Sequence, residues 1–402
     1  MKVNLSIILL LVLVQTSALS SAVISDDKLS IIVTPPSNYN TNDTVHIVGN
    51  FNNWTLSGRG AHPLSYVEGK LVADIPNNQK DIIFGFVRNS DWQSIPSRES
   101  GNALCLFLHQ KNSANHHIEI EIEIPAWKDD EPKKVAAQTI TGNVKVLKDF
   151  AMPQLNRTTD ISIYFPPSYS VNKQQSYPVL YMFDGQNVFD DATAYSDEWQ
   201  VDESLERLIS TRELNEIIVV GIANGPRRWH EYNPWDYKSW DKKTEEVGEG
   251  DKTITFIKDS LKPFVDKNYR TKVEATSTGL AGSSLGGLMA LYGAMEYSDV
   301  FGFIAAFSPS LAVENMAGNN VLFEALKNKN KNKNKMGSVK IYLDMGKVEY
   351  GTYKEVEFLQ QLLLESGVAE KNLKLVTDDL GRHCELDWSK RFPGAVTWLF
   401  TK

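Results

Sequence analysis

Gly282-Ser283-Ser284-Leu285-Gly286 sets a hydroxyl between two glycines, with a third at Gly287. This Gly-x-Ser-x-Gly register centres on Ser284. Centring on Ser283 would put Ala281 and Leu285 where the glycines are needed. A serine raised on a sharp strand-to-helix turn tolerates only small flanking residues, because the turn is crowded. Serine is a poor nucleophile until a base takes its proton. Of seven histidines, those at 46, 62, 109, 116 and 117 lie early in the chain, leaving His230 and His383. After a nucleophile elbow the partners follow in the order acid, then histidine, and only His383 satisfies that order. Two acids precede it in "VKIYLDMGKVEYG", Asp344 and Glu349. Glu349, past Gly346 in a loop, is preferred because the acid must turn back towards the histidine. Asp344 stays open as the alternative. The backbone N–H groups of Leu285 and of Gln186, in the loop "DGQNVFDD", are the expected oxyanion donors.

These residues need elements to position them. From about 139 onward, "ISIYF", "PVLYMF", "EIIVVGI", "TGLAG", "FGFIAAF", "VKIYLDM" and "NLKLVT" are apolar runs suited to strands buried on both faces. Helical spacing lies between several of them, clearest in "YKEVEFLQQLLLESG", with Val356, Leu359, Leu362 and Leu363 on one face. The expectation is an α/β fold with a mainly parallel sheet. "TGLAG" before Ser284 and "LGGLMALYGAM" after it supply the strand and helix that an elbow requires. "RRWHEYNPWDYKSW" places Trp229, Tyr232, Trp235, Tyr237 and Trp240 beside Arg227 and Arg228. Read as a loop at the carboxyl ends of the strands, it predicts a substrate wall of Trp229, Tyr232, Trp235 and Arg228.

Residues 23–124 obey a different grammar. "LSIIVT", "TVHIVGNF", "KLVADI", "DIIFGFV", "ALCLFL" and "HIEIEIEI" are short β-prone runs separated by Asn, Gly, Pro and Ser clusters. They predict a small all-β, immunoglobulin-like sandwich. The charged stretch "PAWKDDEPKKVAAQ", 125–138, reads as a linker, and "KNKNKNKNK" at 327–335 as a solvated loop.

The region 139–402 resembles the esterase D-like family of α/β-hydrolases, which includes feruloyl, acetyl and siderophore esterases. The resemblance is carried by "YPVLYMFDGQNVF", "IIVVGIANGPRRWHEYNPW", "AGSSLGGLMALYGAM", "LDMGKVEYG" and "GRHCELDWSKRFPGAVTWLF". It implies serine ester hydrolysis without a cofactor. It also implies an acid a few residues beyond the glycine that ends its strand, which suits Glu349. "DGQN" departs from the His-Gly common after the oxyanion strand. The implied substrates are carbohydrate-linked feruloyl or acetyl esters, with a siderophore trilactone as the alternative. A non-catalytic carbohydrate-binding protein on a hydrolase scaffold is a further alternative. "VHIVGNFNNW" and "FGFVRNSDWQSIPSRESG" resemble starch-binding-like modules, which makes Trp54 and Trp92 candidate sugar-stacking residues.

Composition sets the remaining bounds. A net charge of −8 lacks the basic footprint of a nucleic-acid binder. "MKVNLSIILLLVLVQTSALSSA", 1–22, has the layout of a secretory signal peptide, which predicts a secreted or periplasmic protein. No HExxH or CxxC points to a metal. Cys105 and Cys384 fall in different expected domains and are read as unpaired thiols.

Overall fold

The computed structural model describes residues 28–77, 81–110, 117–130, 136–239, 243–329, 336–347, 349 and 353–400. The expected signal peptide, His116, Trp240 and most of the Lys/Asn run lie outside these residues; Lys327–Lys329 close the helix Val321–Lys329.

Seven apolar runs become seven strands of one sheet; in its centre a strand covered on both faces must be apolar at every position, while the edge strand Leu373–Asp378 is mostly half-buried. Val179–Phe183, Ile218–Ile222 and Thr278–Ser283 are buried throughout. The sheet runs Asn143–Met152, Arg157–Phe165, Ile218–Ile222, Val179–Phe183, Thr278–Ser283, Phe303–Phe307, Lys340–Gly346, Leu373–Asp378. The first two joins are antiparallel and all later ones parallel. The eighth strand, Asn143–Met152, is an edge strand whose positions are mostly exposed or half-buried, so no apolar run announces it. Helices cover both faces. Leu285–Tyr297 lies in one apolar layer with Leu288 and Leu291, while Glu385–Phe400 closes the other with Trp388 and Phe392. This is the α/β-hydrolase architecture. Among the described residues, no helix is long and apolar enough to cross a membrane.

The first domain is two four-stranded sheets packed over Leu29, Ile31, Val33, Ile47, Phe84 and Phe86. His117–Glu123 pairs with Lys28–Thr34, and its alternating sequence follows from one face packing on that core. The expected linker is corrected at its start. Ala126–Trp127 pairs with Pro96–Ser97, and Trp127 is a fully buried member of the sandwich core. Burying one indole outweighs the charged composition around it.

The two cysteines are also corrected, for Cys105 and Cys384 form a disulfide between the domains. Around it the domains mesh through polar contacts. Ser196 Oγ donates to Ala103 O at 2.7 Å, and Ala103 N donates to Tyr195 O at 3.0 Å. Arg98 is paired with Asp197, and Arg382 Nη1 donates to Leu106 O at 3.2 Å. "ALCLFL" is strand only from Phe107; residues 103–106 instead lie along the hydrolase.

Candidate active site

Ser284 stands at the end of the strand Thr278–Ser283, immediately before the helix Leu285–Tyr297. Its backbone sits at φ 55°, ψ −123°, a region that non-glycine residues occupy at a cost. The neighbouring glycines make this possible. A Cβ on Gly282 would lie 2.7 Å from the Gly286 carbonyl carbon, and one on Gly286 would lie 3.0 Å from Phe183 Cβ. Ser283 is buried in the strand, whereas Ser284 is partly exposed at the turn. Ser284 N donates to Phe307 O at 3.0 Å, and Ser284 Oγ lies 3.2 Å from Ser310 Oγ.

His383 lies in the loop between the strand Leu373–Asp378 and the helix Glu385–Phe400. Its Nδ1 is 2.8 Å from Glu349 Oε2. A proton on Nδ1 directed at a carboxylate leaves Nε2 as the basic nitrogen. Glu349 is buried and held on its other oxygen. Oε1 accepts from Ser308 Oγ at 2.7 Å and from Gly346 N at 2.9 Å. Trp388 Nε1 donates to the same Ser308 Oγ at 2.9 Å, and the Trp388 ring meets His383 edge to face at 4.9 Å. Carboxylate and imidazole are thus each fixed by a second set of contacts.

Asp344 is turned the other way. It is fully buried in the strand Lys340–Gly346, where Arg391 Nε donates to Oδ2 at 3.0 Å and Ser308 N to Oδ1 at 3.1 Å. Burial raises its pKa to about 6, against the opposing pull of Arg391. The same arginine lies 3.6 Å from Glu349 Oε1, so one cation serves both carboxylates. Nothing local in the sequence marks Ser308 or Arg391 for this role.

The oxyanion loop follows the strand Val179–Phe183. Asp184 adopts a left-handed conformation (φ 57°) and Gly185–Asn187 form a short turn. Gln186 lies on that turn, its Oε1 accepting from Asn224 N at 3.1 Å. Leu285 is the first residue of its helix, where an amide has no intrahelical acceptor.

The expected substrate wall is brought together only in part. Trp229 is about half exposed, at 51%. Tyr232 is a correction: it is 1% exposed, packs edge-on against Phe183, and accepts a hydrogen bond from Asp184 N at 3.2 Å. Trp235 is half-buried and meets Tyr292 edge to face at 5.3 Å. Arg228 is committed to Asp184 through two contacts of 2.7 Å, and Asn224 Nδ2 donates to the same carboxylate at 2.6 Å. In the first domain Trp92 is exposed and Trp54 half-buried.

Sequence reasoning passed over Glu385, two residues beyond His383. Its Oε1 accepts from Asn187 Nδ2 at 2.9 Å, which ties the histidine loop to the oxyanion loop. Burial raises its pKa to about 7, with Asp184 adding to the shift and Arg228 opposing it. Among the described residues no group of His, Cys, Asp or Glu is arranged to hold a metal.

A family model described as "Putative esterase" matches residues 152–399. The chain is 27% identical over 250 residues to the uncharacterized protein YbbA of Bacillus subtilis (strain 168), covering 60% of this chain and 92% of that protein. Its fold is similar to that of the enterobactin esterase FES from Shigella flexneri, with a TM-score of 0.56 and 17% identity over 90% of this chain and 89% of that one. A ferulic acid esterase superposes with a TM-score of 0.50 and 21% identity, covering 64% of this chain and 98% of that one.

Proposed function

The chain belongs to this esterase family, and from that premise we propose that it is a serine carboxylic-ester hydrolase acting through an acyl-enzyme on Ser284. Ser284 Oγ attacks the ester carbonyl carbon while His383 Nε2 takes its proton. Glu349 keeps the imidazole oriented through Nδ1 and stabilises the imidazolium that forms. The amides of Leu285 and Gln186 hold the developing oxyanion. Collapse of the tetrahedral intermediate expels the alcohol, which takes the proton back from His383. Water then repeats the cycle on the acyl-enzyme. The observation that carries this reading is the 2.8 Å contact of His383 Nδ1 with Glu349 Oε2, at the sheet end where Ser284 tops its strained turn.

The leading substrate is a carbohydrate-linked aryl or acetyl ester, feruloyl first. Trp229 offers an exposed ring for a planar acyl group, and the sandwich domain could hold the glycan through Trp92. A catecholate trilactone is the second reading. It is favoured by the likeness to an enterobactin esterase over 90% of this chain, an extent that takes in the sandwich. The signal-peptide layout of residues 1–22 supports placing the enzyme in the exterior or periplasm. A fluorophosphonate probe tests the mechanism: Ser284 becomes labelled in an active esterase and stays unlabelled in a protein that only binds carbohydrate. Turnover of methyl ferulate, acetylated xylan, p-nitrophenyl acetate and a catecholate trilactone then ranks the substrates.

A further inference from the structure

The disulfide ends one residue from His383, and its other end lies in the first domain, 279 residues away in sequence. The segment carrying Cys105 is wedged between two loops of the site. On one side it touches the continuation of the oxyanion loop. Asn102 Nδ2 donates to Asp191 O at 3.0 Å, Ala103 exchanges backbone and hydroxyl contacts with Tyr195 and Ser196, and Arg98 pairs with Asp197. On the other side it holds the histidine loop through the Cys105–Cys384 bond and the Arg382 to Leu106 O hydrogen bond. Arg382 is itself fixed by Asp387, whose carboxylate accepts from Arg382 Nε at 2.8 Å and from Arg382 N at 2.9 Å.

The hydrolase adds noncovalent restraints of its own here: Leu380 N and Gly381 N donate to Asp378, and Asp387 N and Trp388 N donate to Cys384 O. Its last strand ends at Asp378 and its last helix begins at Glu385, so residues 379–384 are a loop. Within it, His383 is anchored by Glu349 and the Trp388 ring. A covalent bond at the adjacent residue fixes the backbone from which the imidazole projects.

We propose that segment 98–106 of the sandwich is a positioning element of the active site, holding the His383 loop in register through Cys105–Cys384 and Arg382–Leu106. The inference rests on the serine-esterase reading above. Reduction of the bridge by a dithiol transfers two electrons and two protons, giving two cysteine thiols and leaving the dithiol as a disulfide. The released loop then keeps only its noncovalent contacts, and turnover falls. Cys105 is half-buried, within reach of a small dithiol.

The test compares the full-length protein oxidised, and reduced with dithiothreitol then alkylated, with both thiols counted by intact mass. The expected result is a fall in kcat on p-nitrophenyl acetate of about 10- to 100-fold, since displacing a catalytic group by an ångström has that effect. KM stays within about twofold, because the loss concerns the chemical step. Cys105→Ser reproduces the reduced enzyme and no longer responds to dithiol. Amide hydrogen exchange across 380–387 rises on reduction, and this readout needs no ester turnover. Unchanged kcat and exchange in fully alkylated protein would overturn the proposal. So would a loss of activity that only tracks global unfolding by circular dichroism. An oxidised protein that refuses the fluorophosphonate defeats the esterase reading instead, and the exchange measurement still decides the positioning role.

Discussion

Glu349 and Asp344 lie five positions apart on one strand and the loop after it, yet their carboxylates take different nearest partners. Glu349 meets the His383 ring at 2.8 Å, and Asp344 meets Arg391 at 3.0 Å. Glu349→Gln should therefore lower kcat by on the order of 10³-fold or more, with little change in melting temperature. Asp344→Asn should act chiefly on stability, costing roughly 1.5–3 kcal/mol through the charge-assisted bonds lost with Arg391, which keeps Asp378 and Glu349 beside it. Thermal melts and kcat measured on both variants check the split. A larger kcat loss in Asp344→Asn, with its melt unchanged, would reverse the assignment.

Ser284 and Ser283 separate in the same way. Ser284→Ala and His383→Ala should each reduce turnover by on the order of 10³-fold or more. Ser283→Ala, a change inside a buried strand, should stay active and shift stability by about 1 kcal/mol. Rates on p-nitrophenyl acetate and fluorophosphonate labelling read both.

Trp229 and Tyr232 are three residues apart and 51% and 1% exposed respectively. Trp229→Ala should raise KM for methyl ferulate several-fold while p-nitrophenyl acetate turnover is mostly kept, as expected for a stacking contact worth about 0.5–1.5 kcal/mol. Tyr232→Ala should instead destabilise the fold by about 3–5 kcal/mol through the cavity it leaves. Equal losses on both esters in Trp229→Ala would remove the argument for an aromatic acyl group.

Glu198 and Asp202 are two buried acids at the entry to the hydrolase, each influenced by Glu203. Glu198 Oε2 accepts from Thr139 Oγ1 at 2.7 Å, and Asp202 Oδ2 accepts from Thr141 N at 2.6 Å. Burial raises both acids, Glu198 to about 7. Between the unfolded value near 4.3 and about 7, the folded state holds a proton that the unfolded state has lost. Stability from this group is thus present at low pH and falls as pH rises through that window. Glu198→Gln should raise the melting temperature at pH 8 by about 2–4 °C, leave it nearly unchanged at pH 4, and flatten the profile between. A variant no more stable than the parent at pH 8 would contradict the sign.

Sequence alone determined whatever depends on local sterics or on burial of both faces of a strand. Ser284 was legible because a crowded turn admits glycine at 282 and 286, and the Ala281–Leu285 alternative fails that requirement. The central strands were legible because a sheet covered on both sides leaves no polar alternation there. The edge strand Asn143–Met152 was not, since half its surface meets solvent. Tertiary structure decided everything that turns on which way a side chain faces once distant segments meet. Composition could not divide the aromatic loop into Trp229 outside and Tyr232 within, because both rings are apolar enough for either place. Position past Gly346 favoured Glu349 but left Asp344 open, and only the fold brings Glu349 Oε2 to a histidine ring 34 residues on. The Cys105–Cys384 bond is the extreme case. Its two ends carry no local signal for each other, and only the docking of the sandwich beside the histidine loop brings them together.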